Sequence, residues 1–245
     1  MHTPTPAQLL QVWERGGDPS AAARALLLLG CSCDDEAALD ELAALPLGRR
    51  DARLLELRER LFGSAIEAVA TCPQCATAVE ATFGCDDLRM PEADAVAATL
   101  EHAAHGVRVQ FRLPDSRDLL ALEHCGDAEA ARGLLLDRCV LAAQCGEQSR
   151  DARSLPPELQ VQIAQAMAQA DPQADLQLAL RCPECGHEWQ PLFDVARFLW
   201  QELHAWALHM LREVDTLAAS YHWAEADILA LSPRRRQAYL ELCAP

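Results

Sequence analysis

Aromatic residues are scarce in this sequence, at 5% of 245 residues with only two tyrosines. Basic charge is short as well: 21 residues stand against 37 acidic ones, a formal net charge of −16. A field of that sign repels a nucleic-acid backbone, which argues against a nonspecific DNA or RNA binder. No apolar run is long enough to span a bilayer; the longest stretch lies around ALLLLG, and no membrane partner is expected. The opening MHTPTPAQLLQVW has no basic region followed by an apolar one. No secretory signal is therefore expected, and the reading is a cytoplasmic protein.

Catalytic patterns are missing too. HEWQP, from His187, lacks the second histidine of H-E-x-x-H. No H-x-E precedes a P-C-x-x-C in the manner of a zinc deaminase. There is no glycine-rich phosphate loop and no G-x-S-x-G. His204 and His209 fall five residues apart on an expected helix, which does not align them on one face; they read as partner or core contacts. The expectation is a protein without enzyme activity.

What the chain does have is a 51% hydrophobic share, enough for a folded core, with the alanine and leucine that favour helices. It also has eleven cysteines. Without an export signal these belong in a reducing compartment, free or on metal, and their odd number argues against a fully paired disulfide framework.

Four of the eleven form a repeat. TCPQCATAVEATF carries Cys72 and Cys75; RCPECGHEW carries Cys182 and Cys185. With Cys72 laid over Cys182, Cys75 falls on Cys185, Pro73 on Pro183 and Phe83 on Phe193. Strand patterns precede each pair: DLQLALRC alternates Leu176, Leu178 and Leu180, and AIEAVATC is a weaker version. Each unit reads as a hairpin tipped by a knuckle, with Gly186 relaxing the second turn and Ala76 in the matching place of the first. Two facing knuckles supply the four thiolates of a closed structural zinc site, so Cys72, Cys75, Cys182 and Cys185 are the expected ligands. Two other readings stay open: four reduced cysteines, or two local redox pairs. His187 is not expected to ligate, because four thiolates already complete the tetrahedron. Cys31 and Cys33 form a C-x-C, a weak metal signal; the other cysteines read as small buried hydrophobes.

The remainder reads as helices, with one clear strand. The first sixty residues divide into short helices, with Asp18 or Ser20 as a cap and acids opening DDEAALDELAAL. VRVQFRLP alternates Val107, Val109, Phe111 and Leu113 against Arg108, Gln110 and Arg112, a half-exposed strand. The expected helices after it are PDSRDLLALEHCG, DAEAARGLLLDRCVLAA and PPELQVQIAQAMAQADP. A long helix runs from about Asp194, and a final one is capped by Ser232. The fold class is mainly α with a small β component: a helical bundle organised around a split four-cysteine zinc ribbon. Residues 1–62 form the N-terminal helical segment, 63–83 and 176–193 the ribbon halves, 84–175 an inserted strand-plus-helices segment, and 194–245 the C-terminal helices.

Three stretches carry a resemblance: FRLPDSRDLLALEHC, ADPQADLQLALRCPECGHEWQPLFDVARFLWQEL and YHWAEADILALSPRRRQAYLEL. They resemble the T4-like base plate, or baseplate hub assembly, proteins of contractile phage tails and contractile injection systems, over roughly residues 45–243. The resemblance implies a non-enzymatic role, either assembling the baseplate hub or forming part of the baseplate. Hub or tail proteins would then be the partners, and the cytoplasm the assembly site. A zinc-ribbon module acting on nucleic acid or on the transcription apparatus is the rival, and the charge balance opposes it.

Partner contacts are expected within 198–240, where Trp200, Trp206 and Trp223 concentrate aromatic surface; the competing reading is that the tryptophans fill the core. The run Arg234, Arg235 and Arg236 reads as a solvated helix start or as a patch steering an acidic partner, with Trp223 and Tyr239 beside it.

Overall fold

The structure is a computed structural model that describes residues 2–17, 20–33, 37–90 and 99–243. Helix α1 (Pro6–Arg15) begins with a reciprocal capping box between Thr5 and Gln8 and carries Pro6 in its first turn. Ser20 caps α2 (Ala21–Gly30); Asp18, the other candidate, lies outside the described residues, as do the acids 34–36. α3 (Ala37–Ala43) and α4 (Leu47–Phe62) follow. The apolar stripes of α1, α2 and α4 meet the first half of α8 (Val195–Tyr221), burying Leu9, Leu28, Leu54, Leu57, Leu199 and Leu203 in the main core. Arg58 is buried in this seam. Its guanidinium grips Glu202 of α8 through two bonds of 2.9 and 2.7 Å and donates to the Gly63 carbonyl at the end of α4. Among the described residues, no helix is long and apolar enough to cross a membrane.

Two antiparallel hairpins root in this core. β1 (Ala65–Thr71) and β2 (Ala78–Gly84) pair along their full length. β7 (Leu180–Arg181) and β8 (Glu188–Trp189) pair over two residues each, extended by a bridge between Gln177 and Leu192. The second ladder is shorter than the alternation of Leu176, Leu178 and Leu180 led one to expect. Pro191 stands where the first copy has Ala81, and proline cannot donate to a ladder. Its carbonyl still accepts from the Leu178 N–H, at 3.0 Å.

Between the hairpins lies a lobe with its own core. Its sheet runs β3 (Leu100–Ala104), β4 (Val107–Phe111), β5 (Val140–Cys145), β6 (Gln148–Ser149), all antiparallel. Val107, Val109, Phe111 and Leu113 are buried, as their alternation demands. The helices are α5 (Ser116–Leu122), α6 (Ala128–Cys139) and α7 (Pro157–Ala170), the last packing Leu159, Ile163 and Met167 inward. One expected helix is two elements. DAEAARGLLLDRCVLAA stops being helical at Cys139, and Val140 turns directly into β5. Apolar and charged residues are mixed all round the run, so helical periodicity does not distinguish its two parts; pairing of β5 with β4 decides the matter.

Two polar devices hold the lobe. At its base, the fully buried carboxylate of Asp118 receives Arg112 at 2.6 and 2.8 Å and Arg138 at 2.7 Å. At the junction with the main core, the first turn of α4 is capped from the lobe: Leu47 N–H donates to the Pro114 carbonyl at 3.1 Å and Gly48 N–H to Asp171 Oδ2 at 2.8 Å. The chain ends in α9 (Glu225–Leu229) and α10 (Pro233–Cys243), both against α8.

Burial alone would raise the Asp118 acid. Hydrogen bonds from Arg112, from the Asp115 backbone N–H and from Arg138 reverse this and hold it at about 2. Because that lies below the unfolded value of about 3.9, the stabilisation is complete above the unfolded value and disappears as pH falls through the folded one. Asp118→Asn should therefore cost about 2–3 kcal/mol at pH 6, the linkage value of a carboxylate held near 2. The difference from wild type should shrink between about pH 4 and pH 2. Denaturant unfolding of both proteins across that range checks this, and a pH-independent difference would contradict it.

Candidate metal centre

The two hairpins meet at their tips. Sγ of Cys72 lies 3.7 Å from Sγ of Cys185, and Sγ of Cys75 lies 3.5 Å from Sγ of Cys182. All four sulfurs fall within 4.8 Å of one another. A tetrahedron with metal–sulfur bonds of about 2.3 Å has edges of about 3.8 Å, so the spacing suits a thiophilic cation. No other group of three or more potential ligands converges in this way among the described residues. All eleven cysteines are free thiols.

The local chain explains the convergence. In each knuckle the first cysteine is buried and the second exposed, so the cluster sits at the surface with one side sealed. Cys72 N–H donates to the Thr77 carbonyl at 2.9 Å, and Cys182 N–H to the His187 carbonyl at 2.8 Å. Ala76 N–H and Gly186 N–H close the turns onto the carbonyls of Cys72 and Cys182, at 2.9 and 3.0 Å. Both turns need a left-handed residue: Ala76 has φ 61° and Gly186 φ 73°. Glycine takes that conformation freely, alanine at a cost. The departure of the first knuckle from the second is thus a strained residue in an unchanged turn.

The repeat continues below the sulfurs as a rough two-fold relation. Val79 and Trp189 occupy matching positions and pack together under Cys72 and Cys182. Phe83 and Phe193 meet edge to face at 5.6 Å. Ile66 and Leu176 enter the main core from the two sides. His187 stacks on Trp189 and does not share in the converging ligand set.

The electrostatics suit cation binding. The Thr77 hydroxyl and backbone N–H facing Cys75 push its thiol down to about 6. Cys185 also has a lowering bond from the His187 backbone, yet desolvation within the cluster and the neighbouring sulfurs push it up to about 12. Four thiols this close cannot all ionise without a counter-charge, which a bound cation would supply.

The T4 bacteriophage base plate protein family matches the chain over residues 7–200. The chain belongs to that family. Membership supports a structural or assembly role at a phage-type baseplate. No curated protein and no solved structure matches the chain. The family match begins at residue 7, so the N-terminal helices fall inside it, and it ends within α8.

The expected partner residues of this baseplate-family chain lie beyond that match and divide into two groups. Trp223 and Tyr239 form a half-exposed trio with Tyr221, at ring separations of 4.7, 4.8 and 5.6 Å. Arg234 and Arg235 are exposed, with Arg235 placed over the Tyr239 ring. Arg236 is different and corrects the expectation of a three-arginine patch. It is 6% exposed and holds Glu213 of α8 at 2.5 Å. Consecutive helical residues point about 100° apart, so three arginines on a packed helix cannot share its outer face. Trp200 is core, lying against Gly16 with Arg24 over its ring, and Trp206 is partly buried between the main core and α9. The sequence carried no sign of Arg58, Asp171 or Glu213, whose partners lie far away in the chain.

The two knuckle turns make a paired test. Gly186→Ala should cost about 1 kcal/mol, because a Cβ there meets no atom and only the backbone is strained. Ala76→Gly should gain up to about 1 kcal/mol, with metal content unchanged in both. Equal stability for all three proteins would refute the strain.

Proposed function

We propose that this protein is a non-enzymatic assembly factor, or chaperone, or else a structural component, of the baseplate hub of a contractile tail or injection system. In this reading its shape is stapled by a structural zinc. The family match carries the baseplate reading, and the four converging sulfurs carry the zinc. Cys72, Cys75, Cys182 and Cys185 would hold the ion, which stabilises folded structure and, with four thiolates bound, keeps no position open for water. The partners are other hub or tail proteins, met in the cytoplasm. Exposed Arg234 and Arg235, with Trp223 and Tyr239, form a docking surface for an acidic partner, arginine and aromatic side chains being common interface anchors. Arg236 supports this surface from beneath by fixing α10 to Glu213.

Metal analysis of protein purified under reducing conditions should give one zinc per chain, and Cys182→Ser should lose it. Structural zinc in small domains is worth roughly 10–16 kcal/mol, so chelation should open the hairpin tips to hydrogen exchange. Protein without zinc would end this part of the reading.

Particle assembly tests the rest. Cells lacking the protein should make few complete particles. If wild-type protein restores them, its presence in purified particles marks a component and its absence an assembly factor. Arg234→Glu with Arg235→Glu should leave the fold intact and lower particle yield. Arg236→Glu should instead cost about 3–5 kcal/mol of stability, by placing two carboxylates together in a buried site. Normal assembly by the stable double variant would remove the arginine surface from the mechanism.

A further inference from the structure

The inserted lobe has an open apolar groove along the outer edge of its own core, with Leu136 and Met167 shared between the two. It lies between α6 and α7, with a volume of about 350 Å3. Leu135 and Leu136 form one wall; Val161, Ala164, Met167 and Ala168 form the other. α7 is thus apolar on two sides. Leu159 and Ile163 pack into the lobe, while Val161 is 49% exposed with Ala164 and Ala168 following it along the groove. Those two small residues leave room for another backbone to come close. An apolar concavity open to water on a folded chain marks a binding surface.

The rim selects the occupant. It offers Arg132, Gln160 and Gln165 and no carboxylate, in a chain with 37 acidic residues. Arg132 is exposed and makes no hydrogen bond or ion pair among the described residues. A second copy fits poorly, because a two-fold contact sets the same face against itself, and that face holds no carboxylate to receive Arg132.

We infer that the α6–α7 groove docks an amphipathic helix of a partner protein, seating leucine-type side chains between the helices and pairing a carboxylate with Arg132. The groove shares no residue with the four-sulfur cluster or with α10, so this inference stands apart from the zinc and arginine-surface readings.

The test uses the full chain, isotope-labelled for NMR, and a synthetic helical peptide. The peptide carries leucines at i, i+3, i+4 and i+7 and glutamates at their flanks; a twin carries lysines in place of the glutamates. The glutamate peptide should bind and shift the signals of Leu135, Val161, Ala164 and Ala168. Val161→Glu should weaken it at least about tenfold. Arg132→Glu should weaken the glutamate peptide and strengthen the lysine twin. Both substituted side chains are exposed, and circular dichroism checks that the variants fold; the Arg132 charge swap decides alone if Val161→Glu does not. Absence of binding, shifts elsewhere on the surface, or indifference to the sign at Arg132 would overturn the inference. So would a dimer of the unliganded chain that Val161→Glu dissociates, which would assign the groove to a second copy.

Discussion

The return of the chain to its own starting point is the constraint on which this architecture rests. The sulfurs that meet across the hairpin tips come from residues 107 and 113 positions apart. Everything between them must leave the main core, fold, and come back in register. Pinning the ends of a loop of about 100 residues restricts the unfolded chain by about 4.7 kcal/mol in the chain-entropy picture of cross-links. The burial of Ile66, Leu176, Phe83 and Phe193 supplies the lower half of that pin. The upper half has little apolar material: Val79 and Trp189 beneath two buried sulfurs, with two more sulfurs facing water. Hydrophobic contact is thinnest where the sulfurs converge, and there a cation would contribute most.

The lobe between the hairpins is held at a second point, and the chemistry there is different. Its carbonyl and carboxylate oxygens cap α4, whose first N–H groups have no partner within the helix. Gly48 makes this possible. A Cβ at that position would lie 1.9 Å from the Asp171 carboxylate, so any larger residue would displace the cap. Gln173 reinforces the joint by accepting from Met90 N–H and donating to the Leu88 carbonyl. Desolvation raises the Asp171 acid, opposed by the Gly48 bond and by Arg49 and Arg50. The joint thus fixes orientation at an electrostatic cost that the surrounding burial offsets.

Much of this was legible in the sequence, and the reason differs from part to part. The four cysteines were legible because metal-site spacing is local, and the repeat made each half evidence for the other. The strand at Val107–Phe111 was legible because one of its faces is buried, which imposes a period of two. Helix starts showed in Ser20 and Ser232, whose side chains act within three residues. The switch from α6 to β5 did not show, since a run with apolar and charged residues mixed all round has no preferred period. The length of the second hairpin turned on one proline, visible in the sequence but meaningful only once its ladder partner was known. Buried ion pairs were invisible for another reason. Arg58 with Glu202, and Arg236 with Glu213, join residues that only packing brings together.

The sequence contains no lysine, so all 21 basic side chains are arginines. The arginines paired with carboxylates of other elements show what this allows. Arg58 and Arg112 each grip one carboxylate through two nitrogens, and Arg138 and Arg236 each add a single contact at about hydrogen-bond length. A planar fork orients what it binds, which a lysine ammonium does not. With acids in excess, each arginine drawn inward leaves the surface more negative, and the exposed arginines stand in that field. Arg132, Arg234 and Arg235 are among them, on the lobe and on α10. An exposed arginine with no carboxylate partner among the described residues, such as Arg132, would be a surface cation left open to an acidic protein partner.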